Sequence, residues 1–287
     1  MTVAASPGPA RVGRDGALRL AFERRGPATV VAGCRFTLPL QVLAPVSLDD
    51  PAAVVSMLNP TGGLVGGDRL AIDVRAGAGA HAVLTTPSAT RVYRAEGPPT
   101  VQTVRLSIGP GAIVEWVPDH TIPFAGSALR QAIDVELDET AGLILVDAFA
   151  AGRVASDEAW RFALLESAIS VRDRDGWLLH DRFVLVGSST ANAEIALDGL
   201  GFAESNPYFA SIVIMGAFDR ERFAVEVGSL GATGGATTVG VAILPRRGAL
   251  VRCLAPSAPA LLDTIAACWQ LARRALLGLP PLALRKG

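Results

Sequence analysis

Apolar and polar residues alternate along much of this chain, and a period of two marks half-buried β-strands. The stretch "ALRLAFERR" reads as one such strand, and "ATVVAGCRFTLPLQVLAPV" and "PAAVVSML" add β-branched runs closed by Pro or Gly. A repeat follows. "AIDVRAGAGAHAVLTT" is strand, glycine turn, strand; "TVRLSIGPGAIVEWVP" has the same form, with Gly109 lying 32 positions after Gly77. "AIDVELDETAGLILVD" is a weaker third copy, with Gly142 lying 31 positions beyond Gly111. A period of this size predicts stacked β-hairpin units, none able to bury its apolar face alone. A plain meander would also place turns at such intervals. "AWRFALLESAISVRDRDGWLLHDRFVLV" predicts a further hairpin, turning at Asp175-Gly176.

Helical periodicity is sparse until the end. "FDRERFAVEVGSLG" predicts a short helix and "SAPALLDTIAACWQLARRALLGLPP" a long one. Ser257 suits the N-cap, and Pro259 is tolerated in the first turn. Leu261, Leu262, Ile265, Trp269, Ala272 and Leu276 share one face. Arg273 and Arg274 suit the C-terminal dipole, and Gly278 with Pro280 stops the helix. Residues 1–15 read as a flexible N-terminal tail. No linker or composition shift divides residues 16–287, which read as a single domain. The expected fold is mostly β: a stacked β-hairpin, β-helix-like scaffold with a C-terminal α-helix and few others.

Composition adds an oddity. Of 287 residues, 50% are hydrophobic and 18% charged, against a usual charged share of about 25%. Mean hydropathy is +0.39. Either partners cover apolar surface, or abundant alanine inflates the value. No uncharged apolar run is long enough to span a membrane; Asp147 interrupts "AGLILVDAFAAG". The net charge of −1 gives no reason to expect a nucleic-acid partner. "MTVAASPGPARVGRDG" lacks the apolar core of a secretory signal. Cys34, Cys253 and Cys268 lack metal or disulfide spacing, as expected of thiols in a reducing cytoplasm.

Catalytic motifs are lacking. "NPTGGLVGGDRL" nears a phosphate-binding loop from Gly62 to Gly67, but Asp68-Arg69 follows where Lys-Ser/Thr is needed. It also leads into a strand, not a helix N-terminus. His81, His120 and His180 are far apart, and no zinc-ligand spacing exists. "VGSST" is not a nucleophile elbow. What remains is dense polar sequence on a β scaffold: "TTPSATRVYRAEG", with Thr86, Arg91, Tyr93 and Arg94, then "VEWVPDHTIPFAGS", with Trp116. Arg and aromatic clusters favour protein interfaces, so an interaction scaffold is expected before an enzyme.

These stretches, in this order, resemble the UreD family of urease accessory proteins (UreH in some bacteria). "LNPTGGLVGGDRL" is similar to the family's N-P-x-G-G-x-x-G-G-D, and "TTPSATRVYR" to its T-T-x-x-A-T-[KR]-x-Y-R. "VEWVPDHTIPFAGS" and "GRVASDEAWRF" resemble its E-W-x-P-x-x-x-I-x-F and G-R-x-x-x-x-E-x-[FW] segments. "RGALVRCLA" and "GLPPLALRKG" resemble its closing strand and tail. Leu58, Thr61 and Asp157 depart from residues common there, and the customary final tail is missing.

The resemblance implies a non-enzymatic chaperone. It would bind apo-urease and UreF- and UreG-type accessory proteins, and assist nickel delivery to urease. No tightly bound cofactor is expected, with nickel passing as transient cargo. Isolated carboxylates exchange divalent ions quickly. Asp68 and Glu158, both in matching segments, are therefore expected to face a water-filled interior passage, with Thr86, Arg91 and Tyr93 near its wall. Gly62, Gly63, Gly66 and Gly67, with Arg94 and Trp116, are expected to form a structural or partner-contacting loop region. The glycine loop is equally consistent with a tight turn in which Asp68 caps backbone N–H groups. The rival expectation is a small-molecule enzyme using Asp68 and Glu158 as an acid/base pair. A closed pocket holding both would favour the enzyme, and an open channel the scaffold.

Overall fold

The alternation written in the sequence becomes a two-faced strand at the start of the chain. In β1 (Asp15–Arg25), Leu18, Leu20 and Phe22 are buried while Arg19 and Glu23 are exposed. The structure, a computed structural model, describes residues 14–45, 48, 50–188, 197–232 and 237–284. The tail expected over residues 1–15 lies outside them except for Arg14 and Asp15, and Asp15 opens β1.

The first strands are followed by β2 (Ala28–Thr37), β3 (Gln41–Val42), β4 (Ala53–Leu58), β5 (Arg69–Ala76), β6 (His81–Thr85) and β7 (Thr90–Val92). Next come β8 (Thr100–Ile108), β9 (Ile113–Trp116), β10 (Thr121–Pro123), β11 (Ala128–Leu137) and β12 (Gly142–Ala150). Then β13 (Leu164–Asp173), β14 (Gly176–Leu185), β15 (Tyr208–Met215), α1 (Arg220–Ala232), β16 (Thr238–Ile243), β17 (Ala249–Ala255) and α2 (Ala258–Leu277) complete the order.

One sheet runs β14-β13-β11-β8-β5-β1-β2 and a second runs β16-β17-β15-β12-β9-β6-β4-β3. The repeat units stack as expected, but the two strands of a unit do not pair with each other. β5, β8 and β11 pair in parallel in the first sheet, so that Ile72, Val104 and Ile133 stand in one row. β6, β9 and β12 do the same in the second. Each unit arches from one sheet to the other, and successive turns sit on each other: Gly109 N–H donates to Ala76 O and Gly79 N–H to Pro110 O, both at 2.9 Å. The stack is therefore a β-solenoid. Arches win because every strand then turns its apolar residues toward the opposite sheet. β13 and β14 form the expected antiparallel hairpin, with the turn one residue earlier than Asp175-Gly176: Arg174 and Asp175 are its loop, and Gly176 already pairs with Asp173.

The main core lies between the sheets. A second lies outside β12, β15 and β17, under the helices. β12 is consequently buried at every position, which turns alternation into a continuous apolar run. On α2, Ser257 Oγ accepts the Ala260 amide and Gly278 adopts the left-handed cap. The predicted apolar face is corrected at one edge. Leu262 is 38% exposed, whereas Cys268 and Arg273 are buried. The buried or half-buried stripe runs through 261, 265, 268, 269, 272 and 276, and Leu262 lies at its edge, about 20° around from Trp269.

Candidate functional site

Beside the two sheets runs a short third wall. Leu64 bridges Val92, and β10 pairs in parallel with β7. The glycine loop is the first rung of this wall, residues 90–94 the second and 121–125 the third. Leu64 N–H donates to Arg91 O, Tyr93 N–H to Leu64 O, and Phe124 N–H to Val92 O, at 2.8–2.9 Å. The fourth rung follows through Gly126 N–H to Arg161 O at 2.8 Å.

This stacking explains the glycines. A Cβ on Gly63 would lie 2.6 Å from Arg91 O, and one on Gly66 2.7 Å from the Ala95 Cβ. Gly62 and Gly67 take φ of +86° and +84°, where a side chain is strained. The loop is a tight turn pressed against the next rung.

Asp68 terminates that turn. It is 3% exposed, and its carboxylate accepts the Arg14 amide at 2.8 Å and the Val65 amide at 2.9 Å. Both oxygens are thus engaged by backbone. Glu158 sits on the fourth rung, its carboxylate held by both Arg153 Nε (2.8 Å) and Arg153 Nη2, with the Ala125 amide further out. The Arg153 guanidinium hydrogen bond holds Glu158 below the usual carboxylate range. Arg153 also lies 4.7 Å over the Phe124 ring, Phe124 meets Tyr93 edge-on, and Tyr93 Oη donates to Gly62 O at 3.2 Å. A chain of contacts therefore joins the glycine loop to Glu158. Thr86 Oγ1 accepts the Asp119 amide at 2.9 Å, tying the segment that leads into the second rung to the one that leads into the third. Arg91 and Arg94 point outward and are exposed. Trp116 does not belong to this surface: it is 4% exposed, in β9 and in the main core, so it cannot meet a partner.

Two buried polar clusters were not legible in the sequence. Between the sheets, Gln102 Nε2 donates to Gln131 Oε1 (2.9 Å), and Gln131 Nε2 and Ser167 Oγ each donate to Asp147 at 2.7 Å. Burial pushes Asp147 up to about 6, and those two hydrogen bonds offset part of it. The second cluster lies under α2. Glu115, fully buried in β9, meets His81 Nε2 at 2.6 Å and accepts from Trp269 Nε1 and Arg273 Nη1 at 2.5 Å. Arg273 also binds Asp50. The Asp147 break in an apolar run was a clue to the first; the second had none.

Among the described residues, no three His, Cys, Asp or Glu side chains converge as a metal-holding group. No helix among them is long and apolar enough to cross a membrane. Fold and site define a β-solenoid scaffold in which the motif residues brace one rung against the next. The sequence matches the family model of the UreD urease accessory protein over residues 14–286. It is 34% identical over 285 residues to the urease accessory protein UreD of Alkalilimnicola ehrlichii, covering 97% of this chain and 92% of that one. It is 36% identical over 273 residues to that of Pseudomonas fluorescens, covering 92% of each. The chain belongs to the UreD family of urease accessory proteins, which supports a role in urease maturation.

Proposed function

We propose that the chain is a urease maturation scaffold. It binds apo-urease together with UreF- and UreG-type accessory proteins in the cytoplasm, and it turns over no substrate. The observation that carries this reading is the stacking of the four family-like segments as successive rungs of one wall. Residues that converge on a substrate would project into a pocket; these support a surface. The acid/base rival has little to recommend it, because the two carboxylates do not face one another: Asp68 is engaged by the Arg14 and Val65 amides and Glu158 by Arg153.

Nickel is cargo in this reading, and it needs weak, exchangeable oxygen ligands. The rim of its route lies at the third wall, with Glu158, Thr86, Arg91 and Tyr93 beside it and Asp68 fixing the first rung. Asp147 with its amide and hydroxyl neighbours supplies a polar interior. Co-expression with urease subunits and a UreF-type partner tests the scaffold: a common peak on a sizing column is expected, and clean separation of a folded monomer would sink it. An Asp68→Leu, Glu158→Leu double variant is expected to lower urease activation while the complex survives. Full activation by that variant removes both residues from the route. Loss of the complex makes them structural, and an Asp68→Asn, Glu158→Gln pair then separates charge from shape.

A further inference from the structure

Strand β2 is the outer strand of the first sheet, and among the described residues it pairs with β1 alone. Long free edges are ordinarily blunted by charge, proline, bulge or cover. Here a bulge opposite Ala21 and Phe22 interrupts the ladder near Ala32, but Gly33–Thr37 continues in regular register beyond it. Cys34, Arg35, Phe36 and Thr37 are all exposed.

The two faces of this free segment differ. On the solvent face Arg35 stands directly opposite Arg19, and Gly33 opposite Ala21. Like charges directly across a pair destabilise a sheet. Arg19 is 3.7 Å from Asp73, but Asp73 is shared with Arg105 at the same distance. Arg75 stands beside Ala21 in the next strand. No acidic partner is found for Arg35 or Arg75 among the described residues. Arg19, Gly33, Arg35, Asp73 and Arg75 line a shallow cavity of about 450 Å³. On the opposite face Cys34 and Phe36 continue the rows of Leu20 and Leu18 past the end of the core. Phe36 is 45% exposed, and Leu38 just beyond it 56%.

A strand laid along β2 would continue both rows. Its alternate side chains would meet arginines on one face and Phe36 with Cys34 on the other. We propose that β2 is the docking edge for an extended segment of a partner protein in which acidic and apolar residues alternate. The acidic side chains neutralise Arg35, Arg19 and Arg75, and the backbone completes the ladder from Gly33 to Thr37. This deepens the scaffold reading and rests on it by giving one partner its chemistry.

The test uses the full chain purified from its soluble fraction and a short peptide alternating Glu and Val. Cys34 is the exposed cysteine, whereas Cys253 and Cys268 are buried, so maleimide labelling of Cys34 reports the edge. At ten times its Kd the peptide leaves roughly one site in eleven free, and labelling should slow about tenfold. A Lys/Val peptide, free glutamate, and the Glu/Val peptide N-methylated at alternate amides should not protect. An Arg35→Glu, Arg75→Glu variant should lose protection by the Glu/Val peptide. Its thermal melt should be no lower than the parent's, since both side chains are exposed and Arg35→Glu replaces a like-charge pair with an opposite one. Absence of protection, equal protection by the Lys/Val peptide, or equal protection by the N-methylated peptide or free glutamate would overturn the proposal. None of these readouts uses urease activation, so failure here leaves the co-purification test standing, and the reverse holds too.

Discussion

Asp147 shows how a single side chain can set a pH dependence. Burial raises its carboxyl to about 6, against about 3.9 for an exposed aspartate. The folded chain therefore holds this proton more tightly than the unfolded chain does. Between pH about 4 and 6 the native state binds more protons, so stability falls as pH rises through that window, and the cost is complete above it. An Asp147→Asn variant removes the titration and keeps the shape. Its stability relative to the parent should rise from pH about 4 to about 7 and then level off, as measured by denaturant unfolding at a series of pH values. An offset independent of pH would show that Asp147 does not titrate in this window.

At the scale of elements, the question is what holds α2 to the second sheet. Leu261, Cys268 and Ala272 supply apolar contact, but the same interface contains fully buried Arg273 and Glu115. The guanidinium is satisfied by Glu115, Asp50 and Pro280 O. Removing one partner of a buried pair strands the other charge. Arg273→Met should therefore cost roughly 3–5 kcal/mol in chemical denaturation. Adding Glu115→Gln to that variant should recover part of the loss. A cost no larger than that of an exposed surface substitution would mean that the cluster does not anchor the helix.

At the scale of the molecule, apolar surface remains uncovered. Leu200 is 96% exposed, Val225 75% and Trp177 61%, and β2 and β16 end their sheets. Free edges and apolar patches promote association. Expressed alone, the chain should partition largely into the pellet, and co-expression with an accessory partner should raise the soluble fraction. A stable, concentrated monomer without any partner would contradict this expectation.

Some of this architecture is written locally. The β13–β14 hairpin (to within one residue at its turn), the Ser257 and Gly278 caps and the period-two strands depend on residues only a few positions apart, and the sequence alone determined them. The repeat of about thirty residues likewise announced a stack. Whether β5 and β6 pair with each other or arch between sheets was not readable, since both arrangements bury the same alternate residues. Asp68 carried two readings until β1 paired with β5 and its oxygens met the Arg14 and Val65 amides. Arg273 looked like a charge suited to a helix end. Its burial was decided by Glu115 and Asp50, which lie 158 and 223 positions away. Trp116 looked like an interface aromatic until β9 carried it between the sheets. Propensity and capping act over one or two turns of chain, whereas the partner of a buried polar group is chosen by long-range register, which only the tertiary structure sets.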